Sequence, residues 1–156
     1  MVSIRTAIIT RAVPGSGKTS MTNCIVEYLL KRGVTVAVHS TDQYFMTKDG
    51  KYDFDISRLY ENHALNLANF SKSLEQRVQV VICDNINLSP WQTEPYTTVC
   101  RNYGYNILFI TLSPRALIQH VQSQQISAEK PDAHGVPEEV LVRFILEYMD
   151  YDALLD

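Results

Sequence analysis

The sequence predicts an α/β protein in which a mostly parallel sheet of about four or five strands lies between layers of helix, a three-layer sandwich. Three observations carry that reading. Short apolar, β-branched runs alternate with helical patterns along the whole chain. The first such run, "AIIT", leads straight into the glycine-rich stretch "RAVPGSGKTS" at the mouth of a helix. At 156 residues, 46% hydrophobic and 20% charged, the chain is one domain's worth and long enough to bury a real core. Residues 1–156 are therefore expected to form a single domain.

The elements follow in order. Residues 4–11 alternate and end in an apolar run, as a central strand does. Residues 18–32 place Met21, Ile25, Tyr28 and Leu29 on one helical face, and Gly33 stops the helix. "VTVAVHS", 34–40, is a strand, and an extra short hairpin fits within 43–56. A helix over 57–76 sets Leu59, His63, Leu67 and Phe70 on one stripe. "VQVVIC", 78–83, is a strand, and 90–104 a short helix opening near Pro90 and closing at Gly104. "YNILFITL", 105–112, is a further strand, followed by a helix over 113–125 with Pro114 in its first turn. Residues 126–137 are polar and rich in breakers, hence a loop. The last helix, 138–150, opens on Glu138 and Glu139, where the helix dipole favours acids. It lines up Val140, Leu141, Phe144, Ile145, Tyr148 and Met149. No repeat or linker interrupts the series.

Composition narrows the function classes. A net charge of −3 supplies no global basic field of the kind that draws nucleic acid, although a local groove would escape that average. The three cysteines, Cys24, Cys83 and Cys100, lack a C-x-x-C pairing and read as reduced residues among apolar neighbours. No signal peptide opens the chain, and no run reaches the ~18 apolar residues of a membrane span. A cytoplasmic location without membrane contact is expected, which leaves the sequon Asn69-Phe70-Ser71 idle.

Ligands of parallel sheets bind beyond the carboxyl ends of the strands, and each polar motif falls there. Residues 12–19, "AVPGSGKT", fit the phosphate-binding loop G-x-x-x-x-G-K-[ST] with Ala12 in place of the first glycine. Pro14, Gly15, Ser16, Gly17, Lys18, Thr19 and Ser20 are the expected phosphate contacts, through converging N–H groups and the positive end of a helix. Lys18 is expected at the β- and γ-phosphates and the Thr19 hydroxyl on Mg²⁺. A dinucleotide G-x-G-x-x-G is not met, because Ser20 stands where the third glycine belongs. The ligand is a nucleoside triphosphate, ATP by default. Asp84 ends a strand and is expected on Mg²⁺; a cap is its other reading. Asp42 ends another strand within "STDQYF" and is suited to take the proton of an attacking hydroxyl, or else to cap its loop.

Taken together, "RAVPGSGKTS", "STDQYF", "NHALN", "DNINLSPWQTEPY" and "HGVP" resemble, in order and over roughly residues 6–150, the P-loop polynucleotide 5′-kinases. The nearest likeness is to the branch found in large animal proteins that bind ubiquitin ligases. The resemblance implies a kinase-type P-loop NTPase fold that transfers the γ-phosphoryl group of ATP, with Mg²⁺, to a hydroxyl, often the 5′ end of single-stranded RNA or DNA. It assigns Asp42 as general base and gives Lys18, Thr19 and Asp84 catalytic or metal roles. It also matches Asn87, with Ile86 departing from the usual Thr, and His63 with Asn66, where Asn62 replaces an Ala, and so implies that Asp42, His63 and Asn87 meet the substrate. His63 reads equally as a core histidine, and His134, which opens "HGVP", as a loop residue. The family's lid, here 113–137, usually carries arginines before that motif. This chain offers only Arg115 and Lys130 there, so either of them serves, a partner supplies the charge, or turnover is slow; Arg115 is the one expected to meet the substrate. Tyr44, Phe45, Tyr52, Phe54 and Trp91, interleaved with Lys48, Lys51 and Arg58, would stack and steer bases, unless they are core. A small-molecule kinase and a non-catalytic nucleotide-binding module are the alternatives.

Overall fold

The computed structural model describes residues 4–127 and 134–155. Four strands, β1 (Thr6–Arg11), β2 (Val36–His39), β3 (Val80–Cys83) and β4 (Asn106–Thr111), form one sheet in the order β2-β3-β1-β4. Every pairing is parallel, with Ile9 opposite Cys83 and Phe109, and His39 opposite Cys83. All four strands therefore deliver their carboxyl ends to one edge. The helices are α1 (Lys18–Leu30), α2 (Leu59–Glu75), α3 (Pro90–Asn102), α4 (Leu117–Ser127) and α5 (Glu138–Leu155). No helix among the described residues is long and apolar enough to cross a membrane.

The strands alternate their side chains between two faces. Ala7, Ile9, Val81 and Cys83 meet Phe70 and Leu74 of α2 and Tyr96 and Cys100 of α3 in one buried cluster. Phe70 is fully buried and stands edge-on to Tyr96, with centroids 5.1 Å apart. A second cluster joins Val13 and Leu88 to Leu141 and Tyr148 of α5, with Leu117 and Val121 of α4 packed against it. This second cluster sits directly under the loop that links β1 to α1. Arg11, at the end of β1, is 1% exposed; its Nε donates to the Asn87 carbonyl at 3.1 Å. Its guanidinium faces the rings of Tyr148 and Tyr151 at 5.3 and 3.8 Å from their centroids.

Several local expectations are revised. On α1 the covered face is Met21, Thr22, Ile25, Val26 and Leu29, while Tyr28 is exposed and carries Arg32 over its ring. The most buried line of α2 includes Asn62 and Asn66 beside Phe70, one step round from the apolar stripe, and His63 is half-buried. Cys24 is exposed, unlike Cys83 and Cys100, whose thiols burial pushes up to about 12. The hairpin within 43–56 reduces to a 3₁₀ turn, Thr41–Phe45, and a single antiparallel bridge between Met46 and Tyr52.

The fourth helix begins at Leu117, three residues beyond Pro114, and the reason is local. The Arg115 and Ala116 N–H groups donate to side chains of the first turn, His120 Nε2 at 2.9 Å and Gln119 Oε1 at 3.3 Å. Those acceptors fix 115 and 116 as cap rather than helix. Helix α5 runs on to Leu155, past the expected end at 150. Lys130 and the rest of 128–133 lie outside the described residues.

Candidate functional site

The loop between β1 and α1 is shaped for an anion. Gly17 is the N-cap of α1 at φ 94°, Gly15 has φ 89°, and no side chain caps the helix. The first-turn N–H groups of a helix have no partner within it, and here they open onto the loop. Ser16 Oγ is buried with no hydrogen-bond partner among the described residues. Thr19 and Ser20 are exposed at the loop's rim. Ala12 is fully buried and its N–H donates to the Ile86 carbonyl at 3.0 Å, which ties the start of the loop to the segment after β3.

Lys18 reaches across the mouth of the sheet to Asp84, its Nζ 3.1 Å from both the carbonyl and Oδ1 of that residue. The pair is well covered, with side chains 15% and 13% exposed. Asp84 Oδ1 also accepts from Thr22 Oγ1 at 3.2 Å and lies 3.3 Å from Thr10 Oγ1. Sequence reasoning passed over both threonines; a hydroxyl one helical turn past Lys18 carries no motif signal.

Asp42 stands on the 3₁₀ turn after β2, next in the sheet to β3 and its Asp84. The strand ends are tied, because Asp84 N–H donates to the His39 carbonyl at 2.9 Å and Thr41 N–H to Asn85 Oδ1 at 2.9 Å. The two carboxylates thus share the carboxyl edge of the sheet with Lys18. Asp42 remains open, its side chain 47% exposed, with Tyr52 Oη 3.5 Å from one oxygen and His134 Nδ1 3.6 Å from the other. Tyr52 and His134 stack face to face at 3.9 Å. Burial, reinforced by the Asp42 charge, holds the Tyr52 phenol well above its ordinary range. The Asp42 charge also acts on His63, whose Nδ1 lies 3.2 Å from Thr41 Oγ1.

The other expected residues divide. Arg115 comes to the loop: its guanidinium lies 3.9 Å from where a Cβ on Gly17 would stand. Asn87 does not open onto the site. It is 1% exposed at φ 50°, and its Nδ2 donates to the Thr10 carbonyl at 2.8 Å, so it braces the loop after β3 against β1. The expectation that Asn87 meets substrate is corrected accordingly. Phe45 is likewise core at 1% exposure, whereas Phe54 and Trp91 are open at 51% and 70%. Arg58 is engaged on the Tyr44 carbonyl at 2.8 Å.

Burial lowers the pKa of both His39 and His63 from the ordinary 6.5, with the Asp42 charge opposing the shift at His63. A lowered folded value means that the folded state resists protonation. The associated stability is complete above pH 6.5 and is lost as pH falls from there through the lowered folded values. Thermal midpoints are expected to drop between pH 7.5 and 5.5, with a shallower drop in His39→Gln and His63→Gln. A midpoint that rises on acidification would contradict this.

The donor set suits Mg²⁺. Among the described residues no three His, Cys, Asp or Glu side chains converge on a metal position. Mg²⁺ is commonly held by one or two protein oxygens and the phosphates it accompanies, which one carboxylate and one hydroxyl would satisfy. What the arrangement offers is a phosphate cradle, a cation, a metal-competent carboxylate and a separate open carboxylate.

Comparison with known proteins follows that geometry. A family model described as chromatin associated protein KTI12 matches residues 7–149. Human NEDD4-binding protein 2 is 27% identical over 144 residues, covering 92% of this chain and 8% of that protein, so the chain spans a small part of its relative's length. A chain in the structure of the Pnkp1/Rnl/Hen1 RNA repair complex superposes with a TM-score of 0.78 at 15% identity, over 100% of this chain and 48% of that one. The Mycobacterium tuberculosis APS kinase CysC, in complex with AMPPNP and APS, gives a TM-score of 0.56 at 11% identity, over 96% of this chain and 99% of that one. At these identities the structural likeness is one of fold.

Proposed function

The chain belongs to the family of chromatin associated protein KTI12, which is P-loop kinase-like, and from that premise we propose that it is an ATP-dependent phosphotransferase acting on a hydroxyl, with a polynucleotide 5′-OH as acceptor. One observation carries the reading. Asp42 stands open at the end of the strand next to Asp84, which Lys18 holds. A nucleotide-binding loop alone would serve a switch or a motor; a second, solvent-open carboxylate on the same sheet edge serves an attacking alcohol.

In this mechanism the loop 14–20 binds the β- and γ-phosphates, with Ser16 Oγ, Lys18 and the N–H groups of Gly15 and Gly17 facing their oxygens. Thr19 and Asp84 would hold Mg²⁺, which supplies charge neutralisation between the phosphates. The acceptor O–H gives its proton to the Asp42 carboxylate as its oxygen bonds to the γ-phosphorus. The bond from that phosphorus to the β–γ bridging oxygen breaks, and ADP carries away the electron pair. Lys18 and Arg115 face the charge that spreads over the transferred group. His63, with Thr41, borders the carboxylate, and His134 stacked on Tyr52 walls its other side. The lid proposed over 113–137 is represented among the described residues by α4 and its flanks, 113–127 and 134–137.

Exposed Phe54 and Trp91 favour stacking of bases near the acceptor. The acids Asp49, Asp53 and Asp55 in the same segment favour the second reading, a small hydroxylated metabolite. Incubation with γ-labelled ATP, Mg²⁺ and 5′-OH oligonucleotides decides between them. Label on the oligonucleotide supports the proposal, and label only on a small molecule from a cell extract supports the second reading. Nucleotide binding with no transfer to either acceptor would overturn both. Arg115→Ala is expected to lower the single-turnover rate by ~10²-fold at unchanged ATP affinity. An undiminished rate would remove Arg115 from the mechanism.

A further inference from the structure

We infer that His120 is a positioning residue: it fastens the phosphate loop to the backbone of Arg115 and so sets where that guanidinium stands over the loop. The inference rests on the role given to Arg115 above. His120 is fully buried on α4, and each ring nitrogen meets a backbone group of a different segment. Nε2 lies 2.9 Å from the Arg115 N–H, which can only donate. Nδ1 lies 2.7 Å from the Pro14 carbonyl, which can only accept. These partners fix both tautomer and charge: the ring is neutral, its proton sits on Nδ1, and a flipped or protonated ring loses a bond.

The clamp is tight where the loop meets the helix. A Cβ on Gly15 would stand 3.2 Å from His120 Nδ1 and 3.1 Å from Ser123 Oγ, so α4 fills the space that a side chain at 15 would need. On its other side the clamp ends at residue 115, whose guanidinium lies 3.9 Å from where a Cβ on Gly17 would stand. Arg115 is exposed. A long side chain held only by solvent samples many rotamers; anchoring its N–H against the loop it serves restricts where the guanidinium can go. Burial alone requires partners for both ring nitrogens; what points to positioning is that those partners are the phosphate loop and the residue whose guanidinium stands over it.

The test uses Mg-ADP with aluminium fluoride, a mimic of the group in flight that needs no knowledge of the acceptor. The wild-type protein should bind this complex more tightly than Mg-ADP alone, and Arg115→Ala should reduce that gain ~10-fold or more. An Asn amide reaches only the Nδ1 position, so His120→Asn should reduce the gain by a like factor at unchanged Mg-ADP affinity. A Gln amide oxygen reaches the Nε2 position, so His120→Gln should restore most of it. The double variant Arg115→Ala/His120→Asn should be no worse than Arg115→Ala. Effects that multiply, or an equal loss of Mg-ADP affinity in His120→Asn, would overturn the inference.

Should the variants not fold, nitrogen-labelled histidine in the wild-type protein reads the ring directly. A proton on Nδ1 with a bare Nε2 at pH 7.5 is expected, and the opposite tautomer would sink the clamp. If Arg115→Ala keeps the full gain, the Arg115 assignment fails and the positioning role with it, while the phosphate loop stands. If Mg-ADP does not bind at all, the nucleotide reading fails first.

Discussion

Lys18→Ala is expected to abolish the rise in thermal midpoint that Mg-ATP confers and to lower phosphoryl transfer by ~10³-fold or more. Lys18 is the cation that the loop presents from the first residue of α1, and its partner Asp84 is well covered. Removing the ammonium takes a positive charge away from the γ-phosphate. It also leaves Asp84 facing that phosphate with only the Thr10 and Thr22 hydroxyls beside it. Like charge then meets like charge in a site of reduced dielectric, where repulsion is stronger than in water. Differential scanning fluorimetry with and without Mg-ATP measures the first effect and single-turnover transfer the second. A variant whose midpoint still climbs with nucleotide would remove the loop from the binding site.

Asp42→Asn is expected to reduce transfer by ~10²–10⁴-fold while leaving nucleotide-induced stabilisation intact. The amide keeps the size of the carboxylate and can still lie beside Tyr52 and His134, so the surroundings change little. What disappears is the ability to accept a proton from the attacking hydroxyl. Asp42 is separated from the loop by β3, so ATP affinity should be unmoved within about twofold. Comparing kcat with the nucleotide dissociation constant makes the distinction: a loss confined to kcat fits a base, and a loss confined to affinity fits a structural carboxylate. Full activity in Asp42→Asn would require another proton acceptor, with His63 next in line.

The alternation of strands and helices was legible because a parallel sheet covered on both faces needs apolar runs separated by crossovers. The phosphate loop was legible for a related reason, since its chemistry requires backbone spacing that few other sequences satisfy. Asp42 and Asp84 were each placed on the ligand-binding edge because each ends a parallel strand; that their strands are neighbours, with His39 paired to Cys83, came from the fold. What escaped the sequence depended on distant partners. His120 meets Pro14 across 106 positions of chain, and nothing in "LIQHVQ" announces a ring used at both nitrogens. Asn87 was expected at the substrate because it matches the second Asn of the motif that the resembling kinases carry. Only the fold reveals that a left-handed backbone at 87 turns its amide inward to Thr10. Phe45 and Phe54 are the same residue type in one short segment, and only the fold shows that the first is core at 1% exposure and the second open at 51%.

The stacking of Tyr148 and Tyr151 on Arg11 ties the last helix to the strand that feeds the phosphate loop. Anyone trimming this protein for expression should keep both tyrosines. A clone cut ahead of residue 148 would leave the Arg11 guanidinium, at the foot of the loop, with its aromatic cover gone, and a failure to bind ATP would then be mistaken for a fault of the loop itself.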